Sequence, residues 1–228
     1  MTPPELLELL DPDSRRLVRQ RCTRHRYNRN DFLFHAGEAG DCLHIIEQGK
    51  VAVQIGGELN DPLTVAILGT GDAFGEGALL ASDNRRTASV VALERTDTLM
   101  LRADAYDELC REHPGVNELL VSSLAAQVRR LSERLVELAE IPGHVRVHRR
   151  LVELGAIYGA TGTDQPIPLT QTQLASLAMV KLRLVNRVIG EAKARQILDV
   201  QRGRVVVLDW DALADIARIP HAARHRRS

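Results

Sequence analysis

Apolar positions along this chain change period from one stretch to the next, and each change marks a different kind of element. From Pro3 to about Gln20, Leu6, Leu7, Leu10, Leu17 and Val18 stand among charges and are interrupted at Asp11-Pro12-Asp13, a pattern of short entry helices. Between about Asn30 and Arg102 the period shortens. Runs such as Leu43-His44-Ile45-Ile46, Lys50 to Ile55, Thr64 to Leu68 and Val90 to Leu93 are separated by glycine and Asp/Asn turns, which predicts an antiparallel roll or barrel. A short helix over Ala103–Glu112 leads to a longer one over Pro114–Glu140, about 40 Å long at 1.5 Å per residue. Its apolar residues Val121, Leu124, Val128, Leu131, Leu135 and Leu138 step alternately by three and four, a heptad seam that predicts a parallel pairing of two copies.

Ile141-Pro142-Gly143 ends that helix, because proline withdraws a backbone donor and glycine loosens the chain. Beyond this hinge the pattern predicts a helix from His144 to about Tyr158 and a Gly/Pro-rich loop to Pro168. Two helices follow, Leu169–Ala178 and Lys181 to about Arg195, separated by a very short turn, with Thr170 as N-cap of the first. Leu174, Ala175, Ala178, Val185, Val188 and Ile189 fall on facing stripes, so the pair reads as a helix-turn-helix. Arg202 to Asp209 then reads as a hairpin wing, and Trp210–Ile216 as a closing helix.

Charge sharpens this division. The chain of 228 residues is formally neutral, yet residues 1–141 hold 16 Lys and Arg against 23 Asp and Glu, a balance of −7, while residues 142–228 hold 14 against 7, a balance of +7. The basic half is the candidate for nucleic acid, through Thr170, Gln171, Lys181, Arg183, Asn186 and Arg187. No apolar run is long enough to span a bilayer, no basic segment followed by an apolar core opens the chain, and cytoplasm is the expectation. Cys22, Cys42 and Cys110 are odd in number and widely spaced, which argues against a disulfide framework or a zinc or iron–sulfur site.

The candidate chemistry lies in Phe74-Gly-Glu-Gly-Ala-Leu-Leu-Ala-Ser-Asp-Asn-Arg-Arg-Thr-Ala-Ser-Val90. Glu76 can accept from a sugar hydroxyl, Arg86 can grip a phosphate with its planar fork, and the backbone at Gly75, Gly77, Ala78 and Thr87 can approach an anion closely. The string resembles the phosphate-binding cassette of the cyclic-nucleotide-binding domain. His35 to Glu38, Ile46 to Val51 and Gly69 to Gly75 resemble the successive turns of the same roll.

Taken in order, roll, cassette, long helix, hinge and winged helix resemble the cyclic AMP receptor protein and fumarate and nitrate reduction regulator family. The implied fold is α+β: a jelly-roll-like antiparallel β-roll over residues 1–113, a dimerisation helix over 114–140 and a winged helix-turn-helix over 144–228. The implied function is a homodimeric transcription regulator that binds double-stranded DNA and RNA polymerase under control of a cyclic nucleotide, with no catalytic residue, metal or membrane contact. Three departures bear on that expectation. Leu131-Ser132 stands where members responsive to cyclic AMP place a Thr-Ser pair toward the purine, which leaves Ser132 as the base contact and keeps cyclic GMP and a ligand-independent dimer open beside cyclic AMP. Met179 occupies the turn where glycine is usual, at a steric cost that suggests remodelling. Lys181-Leu182-Arg183-Leu184 replaces the usual Ser-Arg-Glu-Thr, so Leu182 can touch a thymine methyl but cannot read guanine.

Other classes fit less well. The histidines bring no nucleophile motif, and His144 and His148 at i, i+4 have no acidic partner spaced beside them for a metal. A haem or redox sensor has no use for an intact cassette. A cyclic-nucleotide-gated module that recruits protein instead of DNA stays open on the strength of the unusual recognition helix.

Overall fold

A computed structural model describes residues 6–56, 62–77, 84–160, 165–201 and 203–218. A 3-10 turn at Leu6–Leu9 precedes α1, Pro12–Arg21. Asp11 caps α1: its Oδ1 accepts from the amides of Asp13 and Ser14, both at 3.0 Å, and Pro12 fills the first helical position, where its missing N–H costs nothing.

Among the described residues eight strands follow: β1 (Thr23–Tyr27), β2 (Phe32–Phe34), β3 (Cys42–Gln48), β4 (Val51–Ile55), β5 (Leu63–Leu68), β6 (Ala73–Phe74), β7 (Ser89–Ala92) and β8 (Thr96–Arg102). They form two antiparallel sheets, ordered β1-β8-β3-β6 and β2-β7-β4-β5. The roll therefore starts at Thr23, not at Asn30 as the sequence pattern suggested. The polar run Thr-Arg-His-Arg-Tyr has no apolar face to betray it, and it is a strand because β8 supplies its ladder.

One core cluster gathers Leu7, Leu10, Val18, Leu43, Ile45, Leu99, Leu101 and Leu109, and a second gathers Ile46, Val51, Leu68, Phe74 and Val90. Helix α2 (Ala103–Glu112), a 3-10 turn at Pro114–Val116 and α3 (Asn117–Glu140) come next. Val116 and Leu120 are buried in the first cluster and Leu124 packs partly against it. The compact units divide within α3, between Leu131 and Ser132.

In the second unit, α4 (Gly143–Ile157), α5 (Gln171–Ala178), α6 (Leu182–Ala194), the hairpin β9 (Leu198–Gln201) and β10 (Arg204–Val207), and α7 (Trp210–Ile216) make the winged helix. The predicted facing residues Leu174, Ala175, Ala178, Val185, Val188 and Ile189 are all buried. Gly155 on α4 admits the Trp210 ring so closely that a Cβ would lie 2.0 Å from it, which is why that position carries no side chain. The end of α3 is tied to α4 by charge: Glu137 accepts from Arg149 at 3.1 Å and from buried Arg150, and Glu153 accepts from Arg134 and Arg150.

Candidate ligand pocket and nucleic-acid interface

Arg86 is built into the roll from both backbone and side chain. Its amide donates to the Glu38 carbonyl at 2.9 Å and its carbonyl accepts from Gly37 at 2.8 Å, so the His35–Glu38 turn fixes where the side chain departs. Arg86 as a whole is only 6% exposed. Nη1 donates to the carbonyls of Cys42 at 2.8 Å and Gly75 at 2.9 Å, Nη2 donates to Cys42 Sγ at 3.1 Å, and the Phe34 ring lies under Cζ at 4.1 Å. Nε has no partner among the described residues. Gly75 holds φ +89°, and a Cβ there would stand 2.6 Å from Arg86 Nη1, so glycine is required twice over, for the backbone and for the close approach.

Glu76, next in the turn, is 7% exposed and its Oε2 also lacks a hydrogen-bond partner. Burial pushes its carboxyl above the ordinary carboxylate range, against its own amide and the positive fields of Arg130 and Arg86. A buried carboxylate oxygen and a buried guanidinium N–H, both open, suit a ligand that offers a hydroxyl donor and an anionic acceptor. Gly77 and Thr87 are exposed beside them; Ala78 lies outside the described residues. Ser132 is exposed on α3 in the second unit.

Three neighbours of the cassette escaped the sequence reading. Arg130, on the long helix, carried no motif, yet its charge acts on both Glu76 and Asp72. Phe34 carried no motif. The spacing of Cys42 from the other cysteines gave it no role, and only the fold brings it, 44 residues away in sequence, against Arg86. A cavity of about 100 Å³ lined by Leu7, Arg19, Ile45, Ile46, Glu47, Thr70 and Gly71 lies apart from these residues.

On α6, Arg183, Asn186 and Arg187 are exposed on the face opposite buried Val185, Val188 and Ile189, and Lys181 occupies the N-cap position without a side-chain cap bond. Lys181, Arg183 and Arg187 form no ion pair among the described residues, and Met179 and Leu182 add exposed apolar surface beside them. Thr170 and Gln173 form a capping box, so the Thr170 hydroxyl is already engaged with the Gln173 amide and side chain; Gln171 begins α5 half-buried.

The turn between the two helices is not remodelled. Met179 takes the left-handed conformation at φ 50° that glycine usually supplies. Arg146 offsets the strain by donating to the carbonyls of Ala178 and Met179, both at 3.1 Å, and of Ile141 at 2.7 Å.

A model of the cyclic nucleotide-binding domain matches residues 24–113, and a model of the Crp-like helix-turn-helix domain matches residues 145–216. The cyclic AMP receptor protein of Thermus thermophilus is 30% identical over 197 residues, which cover 85% of this chain and 88% of that protein. The chain belongs to the cyclic AMP receptor protein and fumarate and nitrate reduction regulator family. A CRP-like cAMP-activated global transcriptional regulator of Mycobacterium tuberculosis is 27% identical, across 84% of this chain and 87% of its own length. The solved catabolite activator protein of Thermus thermophilus is 28% identical with a TM-score of 0.53, covering 94% of this chain and 98% of that one.

Membership makes this chain a DNA-binding transcription regulator with a cyclic-nucleotide-binding domain, and its relatives are regulators, not enzymes. Among the described residues no helix is long and apolar enough to cross a membrane.

Proposed function

We propose that the chain is a homodimeric, cytoplasmic transcription regulator switched by a cyclic nucleotide, cyclic AMP in the first instance, bound at Gly75, Glu76, Gly77, Ala78, Arg86 and Thr87. One observation carries the reading: the matched domain holds a carboxylate oxygen and a guanidinium N–H that are both buried and both without a hydrogen-bond partner among the described residues. The ribose hydroxyl would donate to Glu76 and the cyclic phosphate would accept from Arg86. Binding of this kind removes two desolvation penalties at once, so the pocket favours the ligand over water.

The dimer rests on α3. Val121, Val128, Leu131 and Leu135 are exposed apolar residues, Leu135 at 67%, and Leu138 continues the stripe at 39%. Leu124 differs, since it packs partly against the core of its own roll. Leu131 offers no hydrogen bond to a base, which supports testing cyclic GMP beside cyclic AMP. Ligand acts on DNA affinity only through its different affinity for the two arrangements of the dimer.

The DNA reading rests on Lys181, Arg183, Asn186 and Arg187 with backbone help from the start of α5 at Thr170 and Gln171. Lys181, Arg183 and Arg187 suit phosphates, and Leu182 stands where a base-reading arginine is usual and cannot read a guanine, so the operator would differ from the family's common palindrome. RNA polymerase is the expected further partner.

Isothermal titration with cyclic AMP and cyclic GMP, on the parent chain and on Arg86→Ala and Glu76→Ala, tests the pocket; binding of neither nucleotide to the parent chain would sink the reading. A gel shift on genomic fragments with and without ligand separates a DNA regulator from a protein-recruiting module.

A further inference from the structure

Arg86 has five N–H donors, and among the described residues three are committed: two from Nη1 to the Cys42 and Gly75 carbonyls, and one from Nη2 to Cys42 Sγ. The Nε–H and the second Nη2 hydrogen are left over. Those two groups are neighbours on one edge of a planar guanidinium, and such an edge meets a phosphate with two parallel bonds. Cys42 thus takes both a main-chain and a side-chain bond from the same cation, and the side-chain bond fixes the rotation of the fork.

The sulfur is itself held. His44 Nε2 lies 3.7 Å from Cys42 Sγ, and His44 Nδ1 lies 3.1 Å from Thr98 Oγ1. His44 is buried, with its ring stacked on Phe74 at a centroid distance of 5.2 Å and 5° between planes. With the proton on Nδ1 the neutral ring would donate to Thr98 and leave Nε2 to accept the Cys42 S–H, turning the sulfur lone pairs toward Arg86. Cys42, His44 and Thr98 are all buried.

We propose that Cys42, oriented by His44, is a positioning residue for the phosphate-reading edge of Arg86 and thereby sets how strictly the pocket discriminates the two exocyclic oxygens of a cyclic phosphate. The inference rests on the cyclic-nucleotide reading of the cassette. It goes beyond that reading because Cys42 belongs to no cassette motif and acts through Arg86.

The test is competitive titration of the full-length chain with cyclic AMP and with the two phosphorothioate diastereomers of cyclic AMP, in which sulfur replaces one exocyclic oxygen or the other. The parent chain should separate the diastereomers by about tenfold or more. Cys42→Ala should bind cyclic AMP about five- to tenfold more weakly, as expected for the net loss of one ordinary hydrogen bond, and its diastereomer ratio should fall toward one. Cys42→Ser keeps an acceptor and should restore most of the discrimination. His44→Phe keeps the stack on Phe74 but releases the sulfur, and should give an intermediate ratio.

A merely structural cysteine would lower the melting temperature of Cys42→Ala and leave the ratio unchanged; that result overturns the proposal. So does a Cys42→Ser variant that behaves as Cys42→Ala while folded. Failure of the parent chain to bind any of the nucleotides would instead overturn the underlying reading of the pocket.

Discussion

The cassette and the recognition helix both carry arginines whose chemistry suits a phosphate, and they hold them in opposite ways. Arg86 is 6% exposed, fixed by three hydrogen bonds and a ring, and faces the equally buried Glu76 turn. Arg183 and Arg187 stand in solvent on α6 with no ion pair among the described residues. The first arrangement spends folding energy on desolvating and orienting charge before any ligand arrives, so its attraction is weakly screened and directional. The second leaves charge hydrated, so its attraction is long-ranged, salt-dependent and indifferent to sequence. A sensor of one small molecule needs the first; a searcher of long DNA needs the second.

The contrast breaks most directly at Arg86. Arg86→Ala should weaken cyclic-nucleotide binding by at least about 100-fold, because a buried hydrogen-bonded charge is removed and its partners are stranded; calorimetry that found a small, salt-sensitive loss would erase the distinction.

Acid should act next. Burial, with help from Arg86 and His25, holds the His44 imidazole down at about 3 against an ordinary 6.5. Stability from neutral His44 is therefore complete above pH 6.5 and is lost as pH falls toward 3, by about 1–2 kcal/mol at pH 5. Melting temperatures taken between pH 7 and 4.5 should fall less steeply for His44→Phe than for the parent chain.

Glu76 sharpens the comparison from the other side. Burial raises its carboxyl, so ionised Glu76 costs stability at neutral pH, and the cost fades as pH falls and the carboxyl takes its proton. Glu76→Gln should stabilise the unliganded protein by about 1 kcal/mol at pH 7, with the gain vanishing in acid, while binding cyclic nucleotide about tenfold more weakly. A variant that lost both stability and affinity would mean that the carboxylate is already satisfied.

The smallest effects belong to α6. Arg183→Ala and Arg187→Ala should each weaken DNA binding about two- to tenfold across all sequences and lower the slope of log affinity against log salt by about one. Fluorescence anisotropy over a salt series would read both numbers, and an effect confined to one operator would assign that arginine to a base edge instead.

How much of this was legible in the sequence depended on whether the information was local. Periodicity of two or three-and-a-half, glycine at turns and Thr170 before an apolar stripe gave the roll, the long helix and the helix pair, because each reflects a rule acting within a few residues. Strand β1 was missed because Thr23 to Tyr27 pairs along its backbone with β8 and shows no alternating apolar face. Met179 was read as a threat to the turn because the compensating guanidinium, Arg146, lies on another helix.

The same division holds for the site. By itself the sequence determined which chemistry was available: a carboxylate, an arginine and glycines at cassette spacing, and a basic half with an exposed helix face. Tertiary structure alone decided that Glu76 and Arg86 are buried with open atoms, that Arg130 bears on them, and that Cys42 and His44 stand behind the guanidinium. Burial and side-chain contact depend on pairs of residues far apart along the chain, and strand pairing, not spacing, brings those pairs together.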